Sequence, residues 1–145
     1  MSGASKQLTR AMEDQREPAP QRPVVLVVDD DPAVLNSLTF SLEVEGFAVR
    51  AYASGRELLD DPGLPGHGCL VIDQRLPGIS GLELVASLRA RKVSLPAILI
   101  TTNPSAVLRQ RAADAGVPVV EKPLLGDALS RGIREALAHD GAGGR

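Results

Sequence analysis

The nine residues VVLVVDDDP, at positions 24–32, contain a five-residue apolar run that ends in three consecutive aspartates. A continuous apolar run of this length is typical of a β-strand that is buried on both faces of a parallel sheet. Asp31 followed by Pro32 is a typical helix start, because aspartate caps the first turn and proline fits the first helical position. The stretch therefore predicts a buried strand that leads directly into a helix, with carboxylates at the turn.

The same alternation of strand and helix recurs along the rest of the chain. Helix starts are predicted at the capping boxes Ser54–Glu57 and Ser80–Glu83 and at Asn103-Pro104. Glycine is expected to end the first helix and the fourth, at Gly46 and Gly116. The further strands are predicted at 48–52, 69–72, 97–100 and 117–121, and the last helix is predicted to bear Leu125, Leu129, Ile133 and Leu137.

Five strand–helix units in strict alternation predict an α/β fold with a doubly wound, five-stranded parallel sheet. The first, third and fourth runs look buried on both faces. The second alternates in polarity and the fifth contains Pro118, and both features favour the edges of a sheet. The predicted strand order is therefore 2-1-3-4-5, the flavodoxin-like order.

The chain divides into three predicted segments. Residues 1–22 are polar, mixed in charge and rich in proline toward their end, so we interpret them as an N-terminal extension. Residues 23–140 contain all five strand–helix units and form the predicted domain. Residues 141–145 are predicted to be a C-terminal tail.

Composition excludes several classes of function. The net charge is only −2 and there are three aromatic residues, so we expect no direct binding to nucleic acid. A single cysteine excludes an intrachain disulfide. No apolar run approaches the length of a membrane span, and the N-terminus lacks a signal-peptide pattern. We expect no contact with a membrane and a cytoplasmic location.

Charged and polar side chains follow four of the predicted strands. Asp29 and Asp30 follow the first strand, Asp73 the third, Thr101 the fourth and Lys122 the fifth. The carboxyl ends of parallel strands meet at one edge of the sheet, where doubly wound folds bind their ligands. Clustered carboxylates repel one another, and a hard cation with oxygen ligands relieves that repulsion. The sequence therefore predicts a Mg²⁺ site.

A carboxylate beside bound magnesium is also a plausible nucleophile toward phosphorus, which would give an aspartyl phosphate. Lys122 could then act as a point charge on the phosphoryl oxygens, and Thr101 as a hydroxyl donor. Each of these residues alone has an ordinary structural explanation. Their joint position at one edge of one sheet predicts a phosphorylation site.

These residues carry a resemblance to response-regulator receiver domains, and specifically to the FixJ-type group. The match covers about residues 23–138. The similar stretches are VLVVDDDP at 25–32, CLVIDQRLPGISGLEL at 69–84, ILITT at 98–102 and EKPL at 121–124.

The resemblance implies a role for each matching residue. Asp73 would be the phosphoacceptor, and it would bind Mg²⁺ together with Asp30 and the backbone carbonyl of Arg75. Asp29 would act mainly through a metal-bound water. Thr101 and Lys122 would contact the phosphoryl group, and the peptide bond from Lys122 to Pro123 would be cis.

The sequence departs from the family pattern at Val119, where many receivers carry a tyrosine or phenylalanine that rotates on activation. A valine cannot rotate in this way. We therefore expect switching to act through Thr101 and the loop from 102 to 105. The fourth helix has only Val107 and Leu108 as large apolar anchors, so we expect it to be atypical or loosely packed.

The resemblance implies a regulator of a two-component system or phosphorelay rather than an enzyme, although it assists its own phosphorylation and dephosphorylation. A sensor histidine kinase is the expected phosphodonor. Three further interactions are left open: binding to a histidine phosphotransferase, binding to an output protein, and formation of a homodimer. The 23 residues after Lys122 leave room for one helix, so we expect a single-domain regulator that signals by protein contact. The main alternative is a phosphotransfer intermediate or phosphate sink. A phosphatase of the haloacid dehalogenase type and an unphosphorylated scaffold are weaker alternatives.

Overall fold

The computed structural model describes residues 22–124 and 126–143. Nearly all of the predicted N-terminal extension, as well as Leu125, therefore lies outside the described residues. The strands are β1 (Val24–Val28), β2 (Ala48–Tyr52), β3 (Cys69–Asp73), β4 (Ala97–Thr101) and β5 (Val119–Glu121). The helices are α1 (Pro32–Val44), α2 (Gly55–Leu59), α3 (Gly81–Ala90), α4 (Ala106–Asp114) and α5 (Ala128–Gly143).

The five strands form one parallel sheet in the order β2-β1-β3-β4-β5, which confirms the predicted fold class and strand order. In this register Val28, the last residue of β1, lies opposite both Tyr52 and Ile72. Asp73 lies opposite Ile100 on β4. The ends of β1, β3 and β4 therefore meet at one edge of the sheet, as the switch-point argument requires.

The core consists of two apolar clusters, one on each face of the sheet. Successive residues of a strand point to opposite faces, so each central strand supplies both clusters. The first cluster joins residues such as Leu26, Leu70 and Leu99 to the helices α2, α3 and α4. The second joins residues such as Val27, Val71 and Ile98 to α1 and α5. This two-sided burial explains why β1, β3 and β4 are continuous apolar runs.

Several predicted helix boundaries are confirmed. Asp31 caps α1 by accepting the backbone N–H of Ala33 at 2.9 Å. Gly46 follows α1 with a φ of +101°, a conformation that favours glycine. The capping box of Ser80 and Glu83 is complete. The Ser54 box is displaced, because Glu57 accepts the N–H of Ala53 rather than that of Ser54.

The predicted start of the fourth helix at Asn103-Pro104 is wrong. The hydroxyl of Ser105 caps α4 by accepting the N–H of Leu108 at 3.0 Å, so the helix begins at Ala106. Asn103 instead has a φ of +47°, a left-handed conformation that asparagine tolerates better than most residues. The chain thus turns at Asn103 before the helix begins.

The predicted fifth strand began two residues too early. The N–H of Val117 is bonded to Ala112 at the end of α4, at 2.8 Å, and Pro118 has no N–H to give to a ladder. The strand therefore begins at Val119. At the other end of the domain, α5 continues to Gly143, three residues into the segment predicted as a tail.

The fourth helix is weakly anchored, as its sequence predicts. Ala112 is its only buried residue, Leu108 is half-buried, and Val107 is 67% exposed. An ion pair at 3.0 Å between Arg109 and Glu121 connects α4 to β5 near the surface. None of the helices in the described part of the chain is long and apolar enough to cross a membrane.

Candidate functional site

Three carboxylates meet at the edge of the sheet where β1 and β3 end. One oxygen from each of Asp29, Asp30 and Asp73 lies within 4.8 Å of the others. Asp29 is 1% exposed and Asp73 is 7% exposed, whereas Asp30 is open to solvent. The cluster therefore consists of two buried carboxylates and a third, that of Asp30, at the exposed mouth of the site.

Asp29 is held by the turn that follows it. Its Oδ1 accepts the backbone N–H of Asp31 at 2.9 Å. Its Oδ2 is buried without a hydrogen bond, at 3.7 Å from the ammonium of Lys122. Burial raises the pKa of this carboxyl and the nearby Asp73 raises it further, while the N–H of Asp31 and the charge of Lys122 oppose the shift. Asp29 therefore carries a charge that the protein alone compensates incompletely.

Asp73 is held from two sides. The ammonium of Lys122 lies 3.3 Å from its Oδ2, and the N–H of Arg75 donates to its Oδ1 at 3.2 Å. Lys122 is positioned by its own backbone, because its N–H donates to the carbonyl of Thr101 at 2.8 Å. The peptide bond from Lys122 to Pro123 is cis, as the resemblance implies.

Thr101 ends β4 and is buried beside this edge. Among the described residues, no hydrogen bond links its hydroxyl group to Asp73. The structure thus brings Asp29, Asp73 and Lys122 into direct contact and places Asp30 at the mouth. Thr101 adjoins the cluster because its carbonyl accepts the N–H of Lys122. Arg75 adjoins it because its N–H donates to Asp73.

The residues present fit a bound magnesium ion. Three carboxylates and one ammonium leave the cluster with a formal charge of −2. A divalent cation with oxygen ligands neutralises that charge, and Mg²⁺ needs only one or two carboxylates because it keeps several waters. The buried Asp29 Oδ2, which lacks a hydrogen bond, is the oxygen that such an ion or its water would satisfy.

Two contacts of the site were missed in the sequence analysis. The N–H groups of Asp31 and Arg75 fix the orientation of the carboxylates two residues before them. Such i to i+2 bonds are typical of aspartates in turns. The signal was present in the turn that follows each strand, but it does not distinguish a functional aspartate from an ordinary turn residue.

The fold and the site together define a class of protein: a doubly wound domain with a metal-binding acidic cluster at its switch point. The chain belongs to the response regulator receiver domain family, whose model matches residues 25–134. It is thus a receiver domain of the two-component response regulators, a family in which an aspartate is phosphorylated and magnesium is bound.

Curated relatives include transcriptional regulators of the FixJ type. The chain is 39% identical over 128 residues to the transcriptional regulatory protein FixJ of Azorhizobium caulinodans, which covers 87% of this chain and 60% of that protein. It is 36% identical to FixJ of Bradyrhizobium diazoefficiens, over 78% of this chain and 56% of the relative. The chain therefore spans somewhat more than half the length of these relatives.

Solved structures agree with the family. The crystal structure of FixJ-N has a TM-score of 0.74 at 35% identity, and covers 82% of this chain and 96% of its own. The response regulator TrrA of Thermotoga maritima, in complex with Mg²⁺ and BeF, has a TM-score of 0.68 at 28% identity, and covers 79% of this chain and 99% of its own. The second structure shows a related fold that binds magnesium.

Proposed function

We propose that Asp73 is the phosphoacceptor of this receiver domain, and that Asp29, Asp30, Asp73 and the backbone carbonyl of Arg75 hold the magnesium ion. The observation that carries this proposal is the position of Asp73. Its carboxylate is the one that lies in the acidic cluster and also within 3.3 Å of the Lys122 ammonium. A nucleophile and a cation for the transferred group are thus already side by side.

The expected phosphodonor is a phosphohistidine of a sensor histidine kinase. A carboxylate oxygen of Asp73 attacks phosphorus and the phosphorus–nitrogen bond breaks, so a ring that is protonated on its other nitrogen leaves as neutral imidazole. Lys122 offsets the negative charge on the phosphoryl oxygens, and Thr101 offers its hydroxyl as a donor. Bound magnesium would supply charge neutralisation for the same oxygens.

The same site would fit either of two functions, an output switch or a phosphotransfer intermediate or sink. The weak anchoring of α4 favours the switch, because a helix with one buried residue needs little free energy to repack. A partner that binds only the beryllofluoride-treated protein would support the output role. A histidine phosphotransferase as a partner, a homodimer and a cytoplasmic location stay predictions.

Replacement of the acceptor tests this proposal. Asp73→Asn removes the nucleophile and should abolish labelling by acetyl phosphate or a competent kinase, measured on a phosphate-affinity gel. Asp31→Asn is the matched control, since it keeps the acceptor oxygen that caps α1, and it should be labelled at saturating magnesium. Undiminished labelling of Asp73→Asn would show that another residue is the acceptor.

A further inference from the structure

The start of α3 is attached to the residue that follows Asp73. The N–H of Gly81 donates to the backbone carbonyl of Gln74 at 3.0 Å, and the N–H of Leu82 donates to its side-chain Oε1 at 3.0 Å. The third N–H of the helix, that of Glu83, is capped by Ser80. Gln74 therefore satisfies two of the N–H groups that a helix N-terminus leaves without intrahelical partners.

This attachment is close as well as hydrogen-bonded. A Cβ atom at Gly81 would lie 2.8 Å from the carbonyl oxygen of Asp73 and 2.7 Å from a side-chain atom of Leu99. Glycine is required there because a larger residue would push the helix away from the strand. The first turn of α3 thus packs directly on the backbone of Asp73.

The loop of residues 74–80 is closed at its base by these contacts and supported at its far end. A Cβ atom at Gly55 would lie 2.8 Å from Ile79 Cγ2, so Ile79 packs tightly against the start of α2. Arg75 lies between the two supports, and its N–H reaches back to Asp73 Oδ1. The conformation of Gln74 consequently orients the peptide group that joins it to Arg75.

We propose that Gln74 is a positioning residue for the magnesium site, acting through the Arg75 N–H and through the Asp73 carboxylate that this N–H orients. This inference rests on the proposed function of those two residues. The Gln74 carboxamide is needed because Leu82 is only half-exposed. Without the Gln74 Oε1, the N–H of Leu82 loses its acceptor, and the loop must move to satisfy it. Replacement of a residue that orients a metal ligand typically lowers metal affinity about 10- to 100-fold.

The test measures magnesium affinity rather than phosphorylation. Gln74→Met keeps the length of the side chain and removes its acceptor oxygen. The Kd for MgCl₂, measured by isothermal titration calorimetry on the full chain, should rise about tenfold. Ser80→Ala is the matched control, because it removes a cap of the same helix that does not involve Gln74. Its Kd should equal that of the wild type, although both variants should lower the urea midpoint measured in EDTA.

Three results would overturn the proposal. An unchanged Kd for Gln74→Met would show that the carboxamide has no part in the site. An equal rise in both variants would show that the effect is a general weakening of α3. Absence of magnesium binding by the wild type would overturn the proposed metal site itself, and so separates that failure from the failure of Gln74. If Gln74→Met does not fold, Gln74→Asn, which is too short to reach Leu82, should show the same rise.

Discussion

Tyr52 joins two parts of the molecule, one through its backbone and one through its side chain. Its carbonyl accepts the N–H of Asp29 at 3.1 Å, and its hydroxyl donates to the carboxylate of Asp61. Arg50 adds a contact at 3.9 Å to Asp61 and a hydrogen bond at 2.7 Å to the carbonyl of Gly63. Tyr52 thus connects the end of β1, where the site lies, with the loop after α2.

The hydrogen bond from Tyr52 makes stability depend on pH. It lowers the pKa of Asp61, with help from the N–H of Gly63, so the folded state favours the ionised carboxylate. Burial, followed by the hydrogen bond to Asp61, raises the pKa of Tyr52, so its hydroxyl stays protonated above its ordinary range. The stabilisation is present above the unfolded pKa of Asp61, about 3.9. It is lost as pH falls through the folded value.

Tyr52→Phe should therefore destabilise the protein at pH 7, and the difference from the wild type should shrink as pH falls below about 4. The measurement is urea unfolding at pH 7 and at pH 3, followed by far-ultraviolet circular dichroism. Asp61→Asn should give the same pH profile, since it removes the other half of the pair. A difference that stays constant over this range would contradict the assignment to Asp61.

At the scale of the element, α4 is the part of the structure best suited to switching. It contributes one buried residue to the core, and the half-buried Val119 on β5 replaces the aromatic ring of many receivers. A switch needs two packings that differ by only a few kcal/mol. The turn at Asn103 connects this weakly held helix directly to Thr101.

Activation should therefore change amide hydrogen exchange most within residues 101–116. The phosphoryl group is expected to draw the Thr101 hydroxyl inward, and the turn and α4 would follow. Hydrogen–deuterium exchange with and without beryllofluoride measures this change. Thr101→Ala should suppress it and leave Asp73 able to accept phosphate, whereas Thr102→Ala, an exposed neighbour, should not. If another surface responds and this segment does not, the output surface lies elsewhere.

At the scale of the whole molecule, stability and metal binding are carried by different parts. The two apolar clusters extend over both faces of the sheet, and the carboxylates lie only at one edge. The apolar area buried in this core outweighs the repulsion within one cluster of carboxylates, which the ammonium of Lys122 partly offsets. We therefore expect the fold not to depend on magnesium, although a ligand that binds only the folded state adds to its stability.

Removal of magnesium with EDTA should leave the circular dichroism spectrum unchanged and block labelling of Asp73. Addition of MgCl₂ to about 100 times its Kd should raise the free energy of unfolding by about 2.7 kcal/mol. Asp30→Asn removes one carboxylate at the exposed mouth of the site. At the same concentration of MgCl₂, its free energy of unfolding should therefore rise by less than that of the wild type. Unfolding in EDTA, or full labelling without metal, would each contradict this separation.

The sequence by itself determined the sheet and the position of its site. Continuous apolar runs at β1, β3 and β4 indicated central strands, and the prediction of the fifth strand at an edge was correct although Pro118, on which it relied, lies just before β5. Strand order then brought Asp29, Asp73 and Lys122 to one edge, because the ends of parallel strands coincide. These features are periodic or topological, so they could be predicted without knowledge of any side-chain contact.

Only the tertiary structure decided which of these groups touch and how their loops run. The proline after Asp31 predicted that this aspartate caps α1, but only the structure shows that Asp29 is buried and that Asp30 lies at the exposed mouth of the site. The start of α4 and the double attachment of α3 to Gln74 were likewise visible only in the structure, because each depends on the conformation of the loop before the helix. Local sequence fixes helical and strand periodicity, but the direction of a side chain at a strand end is set by the neighbouring strands and helices that pack around it.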